Sequence, residues 1–133
     1  MAVAVVPDAA MKALIALLLA DEIKLRLGKN NITVGKSTVI GDFTEADFTG
    51  YAAVSITWGT VAVDGSHNAY SDITPITFTR SSGATSNTIY TWYVTNSAGS
   101  VLYAGRTLDT PIPMTVNGDQ LTISLTELLG DLP

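Results

Sequence analysis

Apolar and polar positions alternate with two distinct periods along this chain. Near the N-terminus Met11, Leu14, Ile15 and Leu18 recur at helical spacing, with Leu17 and Leu19 widening the same face. Pro7 and Asp8 stand where a helix would begin: Pro is tolerated in the first turn and an acidic side chain favours the dipole. An amphipathic helix is expected there, behind a short apolar arm, Met1–Val6. From Ile23 onward the period becomes two. Ile23, Leu25 and Leu27 alternate with Lys24 and Arg26, which predicts a half-buried strand, and Gly28–Asn31 reads as a turn. Ile32–Ile40 extends a hairpin in this reading, weakened at Gly35, and Gly41–Gly50 is an acidic, aromatic loop with one helical turn starting at Thr44.

The remainder predicts mostly strand. Tyr51–Thr57 opens the main β region, Trp58-Gly59 marks a bulge or turn before Thr60–Val63, and Asp64–Asn68 is a loop. Ile73–Arg80 reads as one strand, with Pro75 placing it at an edge or a strand start. Thr88–Asn96 (TIYTWYVTN) carries the strongest strand signal, being dense in aromatic and β-branched residues. Ser97–Gly99 turns the chain into Ser100–Leu108, and Pro111 and Pro113 flank a short edge piece. Asn117-Gly118 is a tight-turn signal before a last strand in which Leu121, Ile123 and Leu125 alternate with Thr122, Ser124 and Thr126. Short strands at this spacing predict a mainly β fold. The expected form is a single antiparallel β-sandwich, or a partly closed barrel, with a short N-terminal α-helix and an extended arm. The expected division is an arm and helix over 1–22 and a β-sandwich domain over 23–133.

Composition adds three constraints. A chain of 133 residues without cysteine must hold itself together by burial, since disulfides and thiolate metal sites are excluded. Charged residues make up 14%, well below the usual ~25%, and Thr and Ser supply the polarity instead. Such a surface suits one normally covered by a partner, or an ordinary Thr-rich β-domain. The net charge of −5 argues against a nucleic-acid partner. Lys24, Arg26, Lys29 and Lys36 do cluster; they face an acidic partner or a phosphate in one reading and guard a solvated edge strand in the other, which is the commoner role. The apolar run Ala13–Ala20 is too short for a bilayer, which needs about 20 residues, so no membrane partner is expected. It also lacks the flanks of a signal peptide.

Few residues offer chemistry. His67 stands alone in a polar loop, and no nucleophile-elbow or zinc-helix motif occurs. Asp42, Glu45 and Asp47 share one loop and could serve as paired carboxylates or Ca²⁺ ligands, but their spacing departs from the EF-hand pattern. The competing reading is a solvated acidic loop with Phe43 and Phe48 tucked beneath it. Trp58, Tyr90, Trp92 and Tyr93 form either a sugar-stacking platform or core packing, and Arg106 with Asp109 reads as a cross-strand pair. No catalytic residue, cofactor or metal is expected, and the chain is not read as an enzyme.

Two stretches carry a family likeness. Ile23–Tyr51 holds Leu25, Leu27 and Asn30 of an "L-L-[FY]-x-N" strand, with Arg26 standing between the two leucines, then Phe43, Thr44, Glu45, Ala46, Phe48, Gly50 and Tyr51 of "F-T-E-A-x-F-x-G-Y". Thr91–Ser124 holds, in order but with one extra residue before Leu108 and one before Gly118, Gly99, Leu102, Leu108, Pro111, Met114, Gly118, Asp119, Leu121 and Ile123 of a C-terminal "G-x-x-L-x-x-x-x-[FL]-x-x-P-x-x-[ML]-x-x-G-D-x-L-x-[IV]" run. Over about half its length the chain therefore resembles small phage and prophage structural proteins. It departs from them at Gly28, where they tend to carry an aromatic, which puts the end of the first strand in doubt.

The resemblance implies a virion component. The favoured form is a capsid decoration or cement protein that contacts other virion proteins, the major capsid protein among them. It also implies self-association, with a trimer expected from the class. A tail or fibre-adaptor subunit is the alternative in the same class, and a carbohydrate-binding host-attachment module the alternative outside it. The expected interface residues are Val3, Val5, Val6, Met11, Leu14, Ile15 and Leu18, all apolar positions of the arm and helix.

Overall fold

The computed structural model describes residues 8–10, 12–13, 22–66 and 69–124. Among them the fold is mainly β, all strand pairs are antiparallel, and no sheet closes on itself. Residues 8–10 and 12–13, the described part of the expected N-terminal helix, are helical. The protein divides into two compact units. Of the described residues, one unit holds 8–10, 12–13, 57–66, 69–75 and 124; the other holds 22–56 and 76–123.

The second unit holds the larger sheet. Its strands are β1 (Ile23–Gly28), β2 (Val54–Ser55), β6 (Asn87–Asn96) and β7 (Leu102–Met114), in the spatial order β2-β1-β6-β7. The central strands β1 and β6 pair without a break from Ile23↔Asn96 to Gly28↔Thr91. Residues directly opposite one another share a face, so Lys24, Arg26 and Gly28 lie with Thr95, Tyr93 and Thr91, while Leu25 and Leu27 lie with Val94 and Trp92. Leu25, Leu27, Ile89, Thr91, Val94 and Thr95 are fully buried, so β6 is covered on both faces. That explains why its sequence lacks clean alternation: a strand buried on both sides reads as a near-continuous run.

Gly28 belongs to β1 rather than to the expected turn. A Cβ at this position would run into the Thr91 hydroxyl opposite. Thr91 thus occupies the space a side chain at position 28 would need. Another strand pair, β5 (Ile76–Thr79) with β8 (Gln120–Ile123), completes this unit. Phe78, Leu121 and Ile123 are buried, while Thr77 and Thr122 face out with their hydroxyls 2.8 Å apart. In the first unit β3 (Trp58–Val63) and β4 (Ala69–Ile73) form a hairpin. Its register shifts between Trp58 and Val61, so the expected irregularity at Trp58-Gly59 is a bulge.

Several boundaries differ from the sequence pattern. Ile32–Ile40 is loop, ending in a short 3₁₀ turn, Ile40–Asp42; no helical turn follows Thr44. The alternation of Ile32 and Val34 reflects a different anchor. The Thr107 hydroxyl accepts from Val34 N (2.8 Å) and donates to Ile32 O (3.1 Å), fixing this segment by one side group instead of a ladder. Ile73 and Ile76 end and begin separate strands around Thr74-Pro75. β7 runs on past Leu108, because extra residues between Thr107 and Ile112 bulge out where β6 advances only from Ile89 to Thr91.

Candidate functional site

The segment most distinctive in sequence, Gly41–Tyr51, lies along β1. Lys29 N donates to Thr44 O (2.9 Å) and Ala46 N to Leu27 O (2.8 Å), giving an antiparallel bridge between Gly28 and Glu45. The segment therefore continues the edge that β2 begins. Its aromatics point to two places. Phe43 stacks on Tyr93 with ring centres 4.2 Å apart and planes 16° from parallel. Phe48 meets Tyr51 edge-on at 5.3 Å, and Tyr51 stacks on Phe78 at 5.9 Å.

The polar centre of the segment is Glu45. Arg26 Nη1 donates to both carboxylate oxygens, at 3.0 and 2.9 Å, while Arg26 Nε donates to Thr95 Oγ1 at 2.9 Å. The Tyr51 hydroxyl donates to Glu45 Oε2 (2.7 Å) and accepts from the buried Leu27 N–H (3.2 Å). One phenol thus joins a charged pair to a backbone amide of the central sheet. Burial, reinforced by the Glu45 carboxylate, pushes the Tyr51 phenol far above its ordinary value. Burial likewise pushes Tyr93 up to about 12, again with Glu45 adding to the shift.

The three carboxylates of this loop do not converge. Glu45 is held by Arg26 and Tyr51, and Asp42 Oδ2 accepts from Val39 N at 2.9 Å within its own turn. Asp47 Oδ1 accepts from Asn87 Nδ2 (2.9 Å) and pairs with Lys29 Nζ (3.0 Å), and Asn87 Oδ1 accepts in return from Asp47 N (2.7 Å). Those bonds, first Asn87 and then Lys29, hold the Asp47 carboxyl below its ordinary value. Among the described residues no group of three His, Asp or Glu side chains could hold a metal ion. The basic cluster is divided in the same way, since Arg26 and Lys29 each have an acidic partner.

The C-terminal motif builds a second knot. Gly118 sits at φ +90°, and Asp119 Oδ2 accepts from Thr115 N (3.0 Å) and Val116 N (2.8 Å). Those two bonds, Val116 first, hold the Asp119 carboxyl below the ordinary value. Arg80, only 5% exposed, lies beside this turn. Its backbone pairs with Asp119 and Gly118. Its guanidinium donates to Ser81 O (3.1 Å), Gly83 O (2.9 Å) and Ser86 Oγ (3.1 Å). The loop so fastened meets the first motif: Ser81 N donates to Thr49 O and Thr49 N to Thr85 O. Gly50 has φ +93°, a conformation that glycine adopts freely, and a Cβ there would meet Ser81 Oγ at 2.5 Å.

The remaining candidates fall apart as a site. Tyr90 and Trp92 are half-buried on β6, while Tyr93 points to the opposite face and is buried under Phe43. Arg106 and Asp109 lie on one strand, not across two, and make an exposed pair at 3.8 Å. His67 and all the expected interface residues (Val3, Val5, Val6, Met11, Leu14, Ile15 and Leu18) lie outside the described residues. Sequence reasoning missed Arg80 and the Tyr51 hydroxyl. Arg80 did leave a signal: it shares the parity of the buried Phe78, so period two already places its stem inward. No protein-family model, curated protein or solved structure matches this protein.

Proposed function

We propose that this protein is a virion structural protein, a capsid decoration or cement protein of a bacteriophage type. The observation that carries the proposal is how the motif residues are used. Glu45, Phe48, Gly50, Tyr51, Gly118 and Asp119 each close a hydrogen bond, a ring contact or a positive-φ turn within the β unit. Residues so committed make a rigid module, not a reactive pocket. Rigidity suits a part whose task is to be held between other subunits. The low charge of the protein supports the same reading, because charged residues are depleted at the cores of interfaces.

In this proposal the β2-β1-β6-β7 sheet and the β5-β8 pair are the two layers of an antiparallel sandwich, an arrangement supported by the Tyr51–Phe78 stack. The protein self-associates, as a trimer, and bridges major capsid subunits on the virion. Val3, Val5, Val6, Met11, Leu14, Ile15 and Leu18 supply the contacts beyond the β unit. The test is cosedimentation of the purified protein with phage shells that lack a decoration protein, alongside its mass in solution. A stable trimer that pellets with shells, and a variant lacking 1–20 that stays folded but no longer associates, are expected. A monomer that ignores shells would overturn the proposal, and a truncated variant that still associates would overturn the interface assignment.

A further inference from the structure

Asn117-Gly118 is the sequence's single Asn-Gly pair. This dipeptide can react with itself. The deprotonated backbone nitrogen of the glycine attacks the asparagine Cγ, forming a new bond between that nitrogen and Cγ. The asparagine Cγ–Nδ2 bond breaks, ammonia leaves, and a five-membered succinimide remains. Water then opens the ring at one of its two carbonyls, giving aspartate or isoaspartate. Glycine favours the attack because it has no Cβ to shield its nitrogen and the most mobile backbone. Both residues are exposed, and no atom lies within 4 Å of where a Gly118 Cβ would stand, so solvent reaches the pair.

The fold withholds the nucleophile. Gly118 N donates its proton to Arg80 O at 2.8 Å. That acceptor is rigid: Arg80 is buried, its own N–H donates to Asp119 O at 2.8 Å, and its guanidinium is fastened to the Ser81–Ser86 loop. Three further bonds close the turn. Asp119 N donates to Val116 O (3.0 Å), and Asp119 Oδ2 takes the N–H groups of Thr115 and Val116. For the nitrogen to swing onto Cγ it must give up Arg80 O, and the turn must open with it.

We propose that Asn117 is a latent deamidation site, kept unreacted by the Gly118–Arg80 bond and released when the β5–β8 end of the unit opens. The reaction is one-way, so the site records past openings. Either product places a new carboxylate beside Asp119. The isoaspartyl form also lengthens the backbone of a turn that sets the Phe78↔Leu121 register, so a reacted molecule recloses less well. This inference does not depend on the virion reading.

The experiment incubates the full-length protein at mildly alkaline pH, folded and in guanidinium chloride. Conversion at Asn117 is followed by peptide mapping and by isoaspartyl methyl-transfer labelling. Conversion in the folded protein is expected to be at least about tenfold slower, equivalent to about 1.4 kcal/mol of opening. Asp119→Ala, which removes two of the turn's closing bonds, is expected to speed conversion several-fold in the folded protein and to match the parent in denaturant. Equal rates for the folded and unfolded parent would overturn the proposal. So would an Asp119→Ala variant that stays folded, shows faster amide exchange at Val116, and yet converts no faster.

Discussion

Replacing Tyr51 by Phe tests the central claim about the Gly41–Tyr51 segment, that a hydroxyl ties it to the sheet. The ring keeps its contacts with Phe48 and Phe78, so packing is preserved and only the two hydrogen bonds are lost. Leu27 is fully buried, and its N–H would have no acceptor. A buried donor left unsatisfied costs about 1–3 kcal/mol. The bond to Glu45 adds less than a charged hydrogen bond usually would. The Glu45 side chain is 36% exposed, so water can replace the phenol, and Arg26 still holds both oxygens. The sum is about 2 kcal/mol. With a urea dependence of about 1–3 kcal/mol per molar for a protein of this size, the midpoint should fall by roughly 1 M. Equilibrium urea unfolding followed by tryptophan fluorescence measures it, with amide exchange at Leu27 as a local readout. A variant with the parent's midpoint and unchanged Leu27 exchange would refute the reasoning.

Three other outcomes follow from the same geometry. Tyr51 and Tyr93 titrate above the ordinary 10.0 when folded, so the folded protein binds more protons than the unfolded one above that pH. Stability should be full below pH 10 and decline as pH rises from there through about 12; in thermal melts across this range Tyr51→Phe should decline less steeply. Gly28→Ala should cost about 1–3 kcal/mol by forcing a Cβ onto the Thr91 hydroxyl, and Thr91→Ala in the same molecule should restore most of the loss in urea unfolding. Asp47 titrates below 3.8, so its contribution is present above that pH and is lost as pH falls through the folded value; Asp47→Asn should flatten the acid limb of a stability–pH curve.

What the sequence makes legible here is local. The alternation of Ile23, Leu25 and Leu27 locates β1, and the Asn-Gly signal locates the turn before β8, because each depends on residues adjacent in the sequence. β4 was not legible: AYSDI has no two-residue alternation, and it becomes a strand by pairing with β3. Ile32 and Val34 mimic a strand while being anchored by Thr107, 73 to 75 residues further along. The acidic loop misleads for the same reason. Asp42, Glu45 and Asp47 are neighbours in sequence, and a metal reading is natural until Arg26, Lys29 and Asn87 arrive from elsewhere in the fold to separate them. The role of the Tyr51 hydroxyl likewise needed β1 alongside.

The pairing of β1 with β6 has a consequence for how the protein is made. Arg26 and Thr95, bonded across these strands, are 69 residues apart in sequence. On the ribosome β1 emerges early, and its longest pairing waits until β6 follows, at about 5–20 residues per second. The β6–β7 hairpin, joined by the short Ser97–Val101 turn, closes locally and fast. For an interval β6, a strand the finished fold covers on both faces, is paired on one edge and open on the other. Two nascent copies on one message meet with those edges exposed. Yield of soluble protein should therefore fall as synthesis outpaces the docking of β1, and slower translation or lower temperature should recover it without any change in the finished fold.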